Sequence, residues 1–105
     1  MSSLVNRIRA ARGRDRTLLF DAGDTVQGTP LGFYYASVEP ITTTGGIHPM
    51  ARQMNAVGYD AVALGNHEFN YGLPFLNRWI EQMDAPVLAA NAVRAGTRRP
   101  PTGRT

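Results

Sequence analysis

Apolar and polar positions follow two different periods along this chain, and the changes of period divide it into helices and strands. Leu4, Val5, Ile8 and Ala11 recur at helical spacing with arginines between them, which predicts an amphipathic helix over residues 3–12, stopped by Gly13. Residues 17–20, Thr-Leu-Leu-Phe, form a short continuous apolar run, the pattern of a strand buried on both faces. A helix is indicated around residues 31–37, and residues 42–46 read as a loop by composition. Pro49 suits the first turn of a third helix, with Met50, Met54 and Val57 as its buried stripe and Gly58 as its stop. Residues 60–64 read as a second buried strand. Leu73, Leu76, Ile80 and Met83 then mark one face of a helix over residues 73–83, with Phe75 and Trp79 beside it. Residues 86–90 read as a third strand, and residues 94–105, rich in Gly, Pro, Thr and Arg, as a disordered tail. Helices alternating with short apolar strands predict an α/β fold: parallel βαβ units with right-handed crossovers in one domain over residues 3–93.

Composition narrows the chemistry. With 105 residues and 43% hydrophobic content, the chain can build one modest core. The absence of cysteine excludes disulfides, thiolate metal sites and cysteine nucleophiles. The net charge of +3 comes from the ends. Residues 7–16 hold five arginines and residues 94–104 four, whereas residues 17–93 carry two arginines against seven acids. Arginines flanking an acidic middle do not make a face for a nucleic-acid polymer, which needs basic residues gathered on one surface. No apolar run approaches the roughly 20 residues that cross a bilayer. Leu4-Val5 is followed at once by Arg7, Arg9 and Arg12, so the opening residues hold no signal-peptide core.

Two glycine-containing motifs begin where a predicted strand ends: Gly23-Asp24-Thr25-Val26-Gln27-Gly28 and Gly65-Asn66-His67-Glu68. In open α/β sheets the loops leaving the carboxyl ends of strands line the ligand crevice, so the two should converge despite their separation in sequence. Asp24 offers a carboxylate able to bridge two cations, and Asn66 an uncharged amide oxygen. Oxygen and imidazole donors suit Mn, Fe, Zn or Mg. Two such ions could clamp a phosphoester and activate a water, with His67 as proton donor to the leaving oxygen or as positive charge on the phosphate. Taken singly, Asp24 reads more readily as a turn or cap residue, and Gly-Asn-His equally as a plain loop or a site. Together, each at a strand end, they favour a site.

At these residues the chain resembles the calcineurin-like metallophosphoesterases, whose second and third motifs are Gly-Asp and Gly-Asn-His-Glu/Asp. Gln27-Gly28 after the Gly-Asp looks like the 5′-nucleotidase branch. Residues 27–32, His48-Pro49-Met50, Met54-Asn55 and residues 65–73 are similar to the 2′,3′-cyclic-nucleotide 2′-phosphodiesterase/3′-nucleotidase proteins. The resemblance covers roughly residues 3–93. It implies a partial metallophosphoesterase sandwich with helices packed on the sheet, two divalent metal ions (Mn, Zn, Fe, Mg or Co) and a nucleotide substrate. By position, Asp24 would be the bridging ligand, Asn66 a ligand of the second metal and His67 the catalytic histidine. Gln27, Glu68 and Asn70 would support them, Glu68 by holding the loop rather than by binding metal. Asn70 stands where 5′-nucleotidases proper have an aspartate, which fits the cyclic-nucleotide branch. His48 receives no role beyond structure.

The resemblance also marks what these residues lack. No Asp-x-His matches the family's first motif, and the later Gly-His-x-His is absent, as is a C-terminal nucleotide-binding domain. The expectation is an N-terminal-domain fragment, inactive alone, with the remaining segments of the enzyme as its partner. A 5′-nucleotidase, and a non-catalytic remnant or binding module, are the other readings. Export to a periplasm or cell surface is usual in the family.

Overall fold

The computed structural model describes residues 1–99. Three short parallel strands form one sheet in the order β1 (Phe20–Asp21), β2 (Ala61–Ala63), β3 (Val87–Leu88). Phe20 lies opposite Ala61 and Asp21 opposite Val62, and Val62 and Ala63 face Val87 and Leu88. The helices are α1 (Ser2–Arg12), α2 (Pro30–Phe33, continued as a π-helical turn over Tyr34–Val38), α3 (Ile41–Thr44), α4 (Pro49–Val57) and α5 (Gly72–Glu81). The strand–helix–strand alternation is thus realised as an α/β fold with parallel neighbours. No helix among the described residues is long and apolar enough to cross a membrane.

One face of the sheet makes the core. Val62 and Val87 pack with Ala51 and Met54 from α4 and with Phe75, Leu76, Trp79 and Ile80 from α5, together with Val26, Ile41 and Met83. The opposite face differs from expectation. Leu18 and Phe20 are 69% and 62% exposed and Leu88 is 50% exposed, so the run at residues 17–20 is not buried on both sides. The helices that build the core cover only the Val62 side, and the strand proper is confined to Phe20–Asp21.

Other details are corrected by packing. On α1 only Val5 is buried, while Leu4 and Ile8 are exposed. What draws this helix inward is Arg9, whose guanidinium donates to the Val57 and Gly58 carbonyls at 2.5 and 2.6 Å. It thereby serves the orphan carbonyls at the end of α4 and opposes their negative dipole. Residues 42–46 are not simply a loop. Thr43 and Thr44 turn over the Pro40 carbonyl, bonding it through backbone N–H and hydroxyl alike, because Ile41 is pulled fully into the core. On α4 the buried residues are Ala51 and Met54, with Met50 and Val57 half-buried, and Gly58 ends the helix at φ 77°. On α5 Leu73 is 47% exposed, leaving Leu76 and Ile80 with Phe75 and Trp79 as the buried side. Residues 94–99 form turns, closed by the Arg94 N–H on the Arg99 carbonyl at 2.9 Å; the remainder of the expected tail lies outside the described residues.

His48 is fully buried at the start of α4. Its Nδ1 accepts the Met50 N–H at 3.2 Å, capping the helix, and its backbone N–H donates to Gln82 Oε1 at 2.8 Å. The ring proton therefore sits on Nε2, which has no oxygen or nitrogen partner among the described residues; the imidazole packs edge-on with the rings of Tyr35 and Phe75, centroid to centroid 6.0 and 5.7 Å. Burial pushes the imidazole down from its ordinary 6.5 to about 4. The unfolded chain takes up this proton near pH 6.5 and the folded chain resists it, so the stabilisation is complete above that pH and is lost as pH falls toward 4. The difference amounts to about 3 kcal/mol. Urea unfolding at pH 7.5 and pH 4.5 should register it, with a His48→Gln variant showing a flatter pH dependence.

Candidate active site

The first loop leaves β1 at Asp21. The Asp21 carboxylate, through Oδ1, accepts the Gly23 N–H at 2.9 Å and the Thr25 hydroxyl at 2.8 Å, bending the chain back over itself. Gly23 has φ 94°, and Asp24 with φ 60° is the one non-glycine in the left-handed region among the described residues. Val26 is buried in the core and anchors the loop's far side, with Gln27 half-buried in the bend beyond it.

The second loop leaves β2 at Ala63 and passes through Gly65 and Asn66 into a 3-10 turn, His67–Phe69. The strands are neighbours, so the loops meet backbone to backbone. A Cβ on Gly23 would overlap the Gly65 nitrogen, and one on Gly65 would overlap the Asp24 carboxylate. Glycine at both positions is what permits the approach.

Glu68 joins the loops. Fully buried, it accepts N–H donors through both oxygens: Thr25 at 2.5 Å and Val26 at 3.4 Å on Oε1, Asp24 at 2.8 Å and Gly65 at 2.7 Å on Oε2. Across the same seam the His67 N–H donates to Asp24 Oδ1 at 3.0 Å. Asn70 Nδ2 lies 3.0 Å from His67 Nδ1. An amide N–H there makes Nδ1 the acceptor and leaves Nε2 carrying the proton.

Asp24, Asn66 and His67 thus come to one place, with Asp24 and Asn66 exposed and His67 half-buried. Gln27 takes no part in the bonds that join the loops. Sequence reasoning passed over Asp21, although an Asp two residues before a Gly is a recognisable turn signal. Asp24 retains a carboxylate oxygen free of donors among the described residues, and the exposed Asn66 offers an amide. This donor set fits a hard divalent cation. No group of three or more His, Cys, Asp or Glu side chains gathers to hold a metal among the described residues. A groove of about 340 Å³ elsewhere, lined by Tyr35, Ile47, Pro49, Arg52, Gln53 and Ala56, includes none of these residues.

The chain is 49% identical over 77 residues to the trifunctional nucleotide phosphoesterase protein YfkN of Bacillus subtilis, across 71% of this chain and 5% of that one. It is 40% identical over 94 residues to a 2′,3′-cyclic-nucleotide 2′-phosphodiesterase/3′-nucleotidase of Haemophilus influenzae, across 89% of this chain and 14% of the relative. The crystal structure of calcineurin-like phosphoesterase YfkN from Bacillus subtilis superposes with a TM-score of 0.82 at 40% identity, over 94% of this chain and 30% of that one. No protein-family model matches the sequence. The chain belongs to the calcineurin-like metallophosphoesterases, a family of generally metal-dependent hydrolases. Within it, the similar proteins carry the names 2′,3′-cyclic-nucleotide 2′-phosphodiesterase/3′-nucleotidase and 5′-nucleotidase. The chain spans only a small share of the length of each relative it matches.

Proposed function

We propose that this chain carries one half of the active site of a nucleotide-directed metallophosphoesterase of the 2′,3′-cyclic-nucleotide 2′-phosphodiesterase/3′-nucleotidase type. The observation that carries the reading is the juxtaposition of Asp24 and His67 across two strand-end loops, tied by the His67 N–H on Asp24 Oδ1 at 3.0 Å. Asp24, as the bridging ligand, and Asn66, as a ligand of the second ion, would hold a pair of divalent metals. Two divalent ions, when bound, supply positive charge to the phosphoryl oxygens and acidify the attacking water. His67 presents Nε2–H to the substrate phosphate or to the leaving oxygen, held at that angle by Asn70 on the ring's other nitrogen. Asn70 supports the cyclic-nucleotide branch over 5′-nucleotidases proper, where an aspartate stands. Export to a periplasm or cell surface belongs to the same proposal.

Asp24 and Asn66 are too few ligands for a tight dinuclear centre, so the isolated 105-residue chain is expected to hydrolyse nothing at a useful rate. Two proteins test this together: the purified chain, and a chimera in which residues 3–93 replace the matching segment of the Bacillus subtilis YfkN phosphoesterase domain. With Mn²⁺ and 2′,3′-cyclic AMP, the chain alone should stay at the buffer rate and the chimera should turn over. Manganese-dependent turnover by the chain alone would sink the claim of inactivity.

A further inference from the structure

We propose that Glu68 is the positioning residue of this site: its buried carboxylate assembles the Asp24 and Asn66-His67 loops in advance and thereby sets the affinity for divalent metal. The inference rests on the metal-binding reading of Asp24 and Asn66 given above.

A carboxylate offers about four lone-pair directions. In Glu68 all four are committed, to the N–H groups of Asp24, Thr25, Val26 and Gly65. Ligating a metal as well would require breaking one of these bonds in a fully buried setting, where an unpaired N–H is costly. Three of the donors belong to the first loop and one to the second, so the residue joins two loops that otherwise share few bonds. Its position dictates the aim of Asp24. The Asp24 backbone stands at φ 60°, a conformation that a non-glycine residue holds only when its surroundings over-determine it. The bond from Asp24 N–H to Glu68 Oε2 and the Gly65 backbone beside the Asp24 carboxylate supply that constraint. Oriented in this way, the Asp24 carboxylate faces the loop that carries Asn66. Removing an outer partner that orients a ligand ordinarily lowers metal affinity by about 10- to 100-fold.

Mn²⁺ is paramagnetic, so amide line broadening reads even weak binding in the 105-residue chain. In the unaltered chain Mn²⁺ should first broaden the amides of Thr25, Asn66 and His67. In Glu68→Gln, measured where circular dichroism and Trp79 fluorescence report a folded chain, the same broadening should need at least about tenfold more Mn²⁺. Amide exchange should quicken at Asp24, Thr25 and Gly65 but not at Val62. Glu81→Gln, altering an exposed carboxylate paired with Arg78, should move neither readout. Should Glu68→Gln not fold, Glu68→Asp carries the same comparison, with an expected shift toward weaker binding because the acceptors remain but retract. Localised broadening at the same Mn²⁺ concentration in the unaltered and variant chains would overturn this proposal alone. No localised broadening in the unaltered chain would overturn the metal reading of Asp24 and Asn66, and this proposal with it.

Discussion

Replacing Asp24 by alanine in the chimera is expected to lower Mn²⁺-dependent turnover of 2′,3′-cyclic AMP by about a thousandfold or more. On the proposed reading Asp24 would hold the metal ions, and the charge stabilisation they supply is worth several kcal/mol, with each tenfold in rate costing about 1.4 kcal/mol. Stability should not follow activity. Asp24 sits at φ 60°, where alanine pays a steric penalty of about 1 kcal/mol and glycine pays none. Both substitutions also lose the exposed bond from the His67 N–H, worth about 1 kcal/mol. Asp24→Ala should therefore destabilise the chain modestly, and Asp24→Gly should leave it close to neutral, while both abolish turnover. Urea midpoints measured beside rates separate the two effects. An Asp24→Gly chimera that keeps its activity would show that the carboxylate is not needed.

The second large effect is expected at Gly23. An alanine there meets the Gly65 nitrogen, and both backbones are pinned, one by Asp21 and one by Glu68. The positive φ adds to the collision, for a combined cost of about 2–4 kcal/mol and an opened seam between the loops. Gly28 supplies the control. Its φ is 104°, yet nothing lies within 4 Å of the Cβ that alanine would add. Gly28→Ala should therefore cost only the backbone strain, about 1 kcal/mol. Urea midpoints should fall clearly further for Gly23→Ala than for Gly28→Ala; equal shifts would contradict the close approach of the loops.

The helices α1, α4 and α5 were legible, the last as residues 73–83 against the observed Gly72–Glu81, because their signals are local: a helical period, a proline in the first turn, a glycine past the last. The parallel order of strands was legible from alternation, and the convergence of the two motifs followed from it. Burial was harder to read. The run at residues 17–20 carries the pattern of a strand covered on both faces, but Leu18 and Phe20 are exposed, because periodicity records what a segment can bury and not what stands against it. The same distinction explains α1, whose apolar positions Leu4 and Ile8 face solvent while Arg9 turns inward to two carbonyls 48 and 49 residues away in sequence. The turn at Ile41–Thr44 was missed because three threonines argue against a helix, and a single buried isoleucine outweighed them.

In the candidate site, residue types pointed to Asp24, Asn66 and His67 because carboxylate, amide and imidazole have few other reasons to gather at strand ends. Glu68 could be read as a supporting residue, but its four backbone donors could not. Three of them lie more than 40 residues away, and only the register of β1 against β2 brings them within reach. Asp21 was missed in the sequence; only its bonds to Gly23 and Thr25 in the fold show that it shapes the turn carrying Asp24.

On the proposed reading, residues 3–93 carry a competent half of a nucleotide phosphoesterase site. Its most direct test is the rate of Mn²⁺-dependent 2′,3′-cyclic AMP hydrolysis by the chimera with Bacillus subtilis YfkN. Turnover comparable to that of the parent domain is expected; a chimera that is folded yet hydrolyses at the buffer rate would overturn the proposed function.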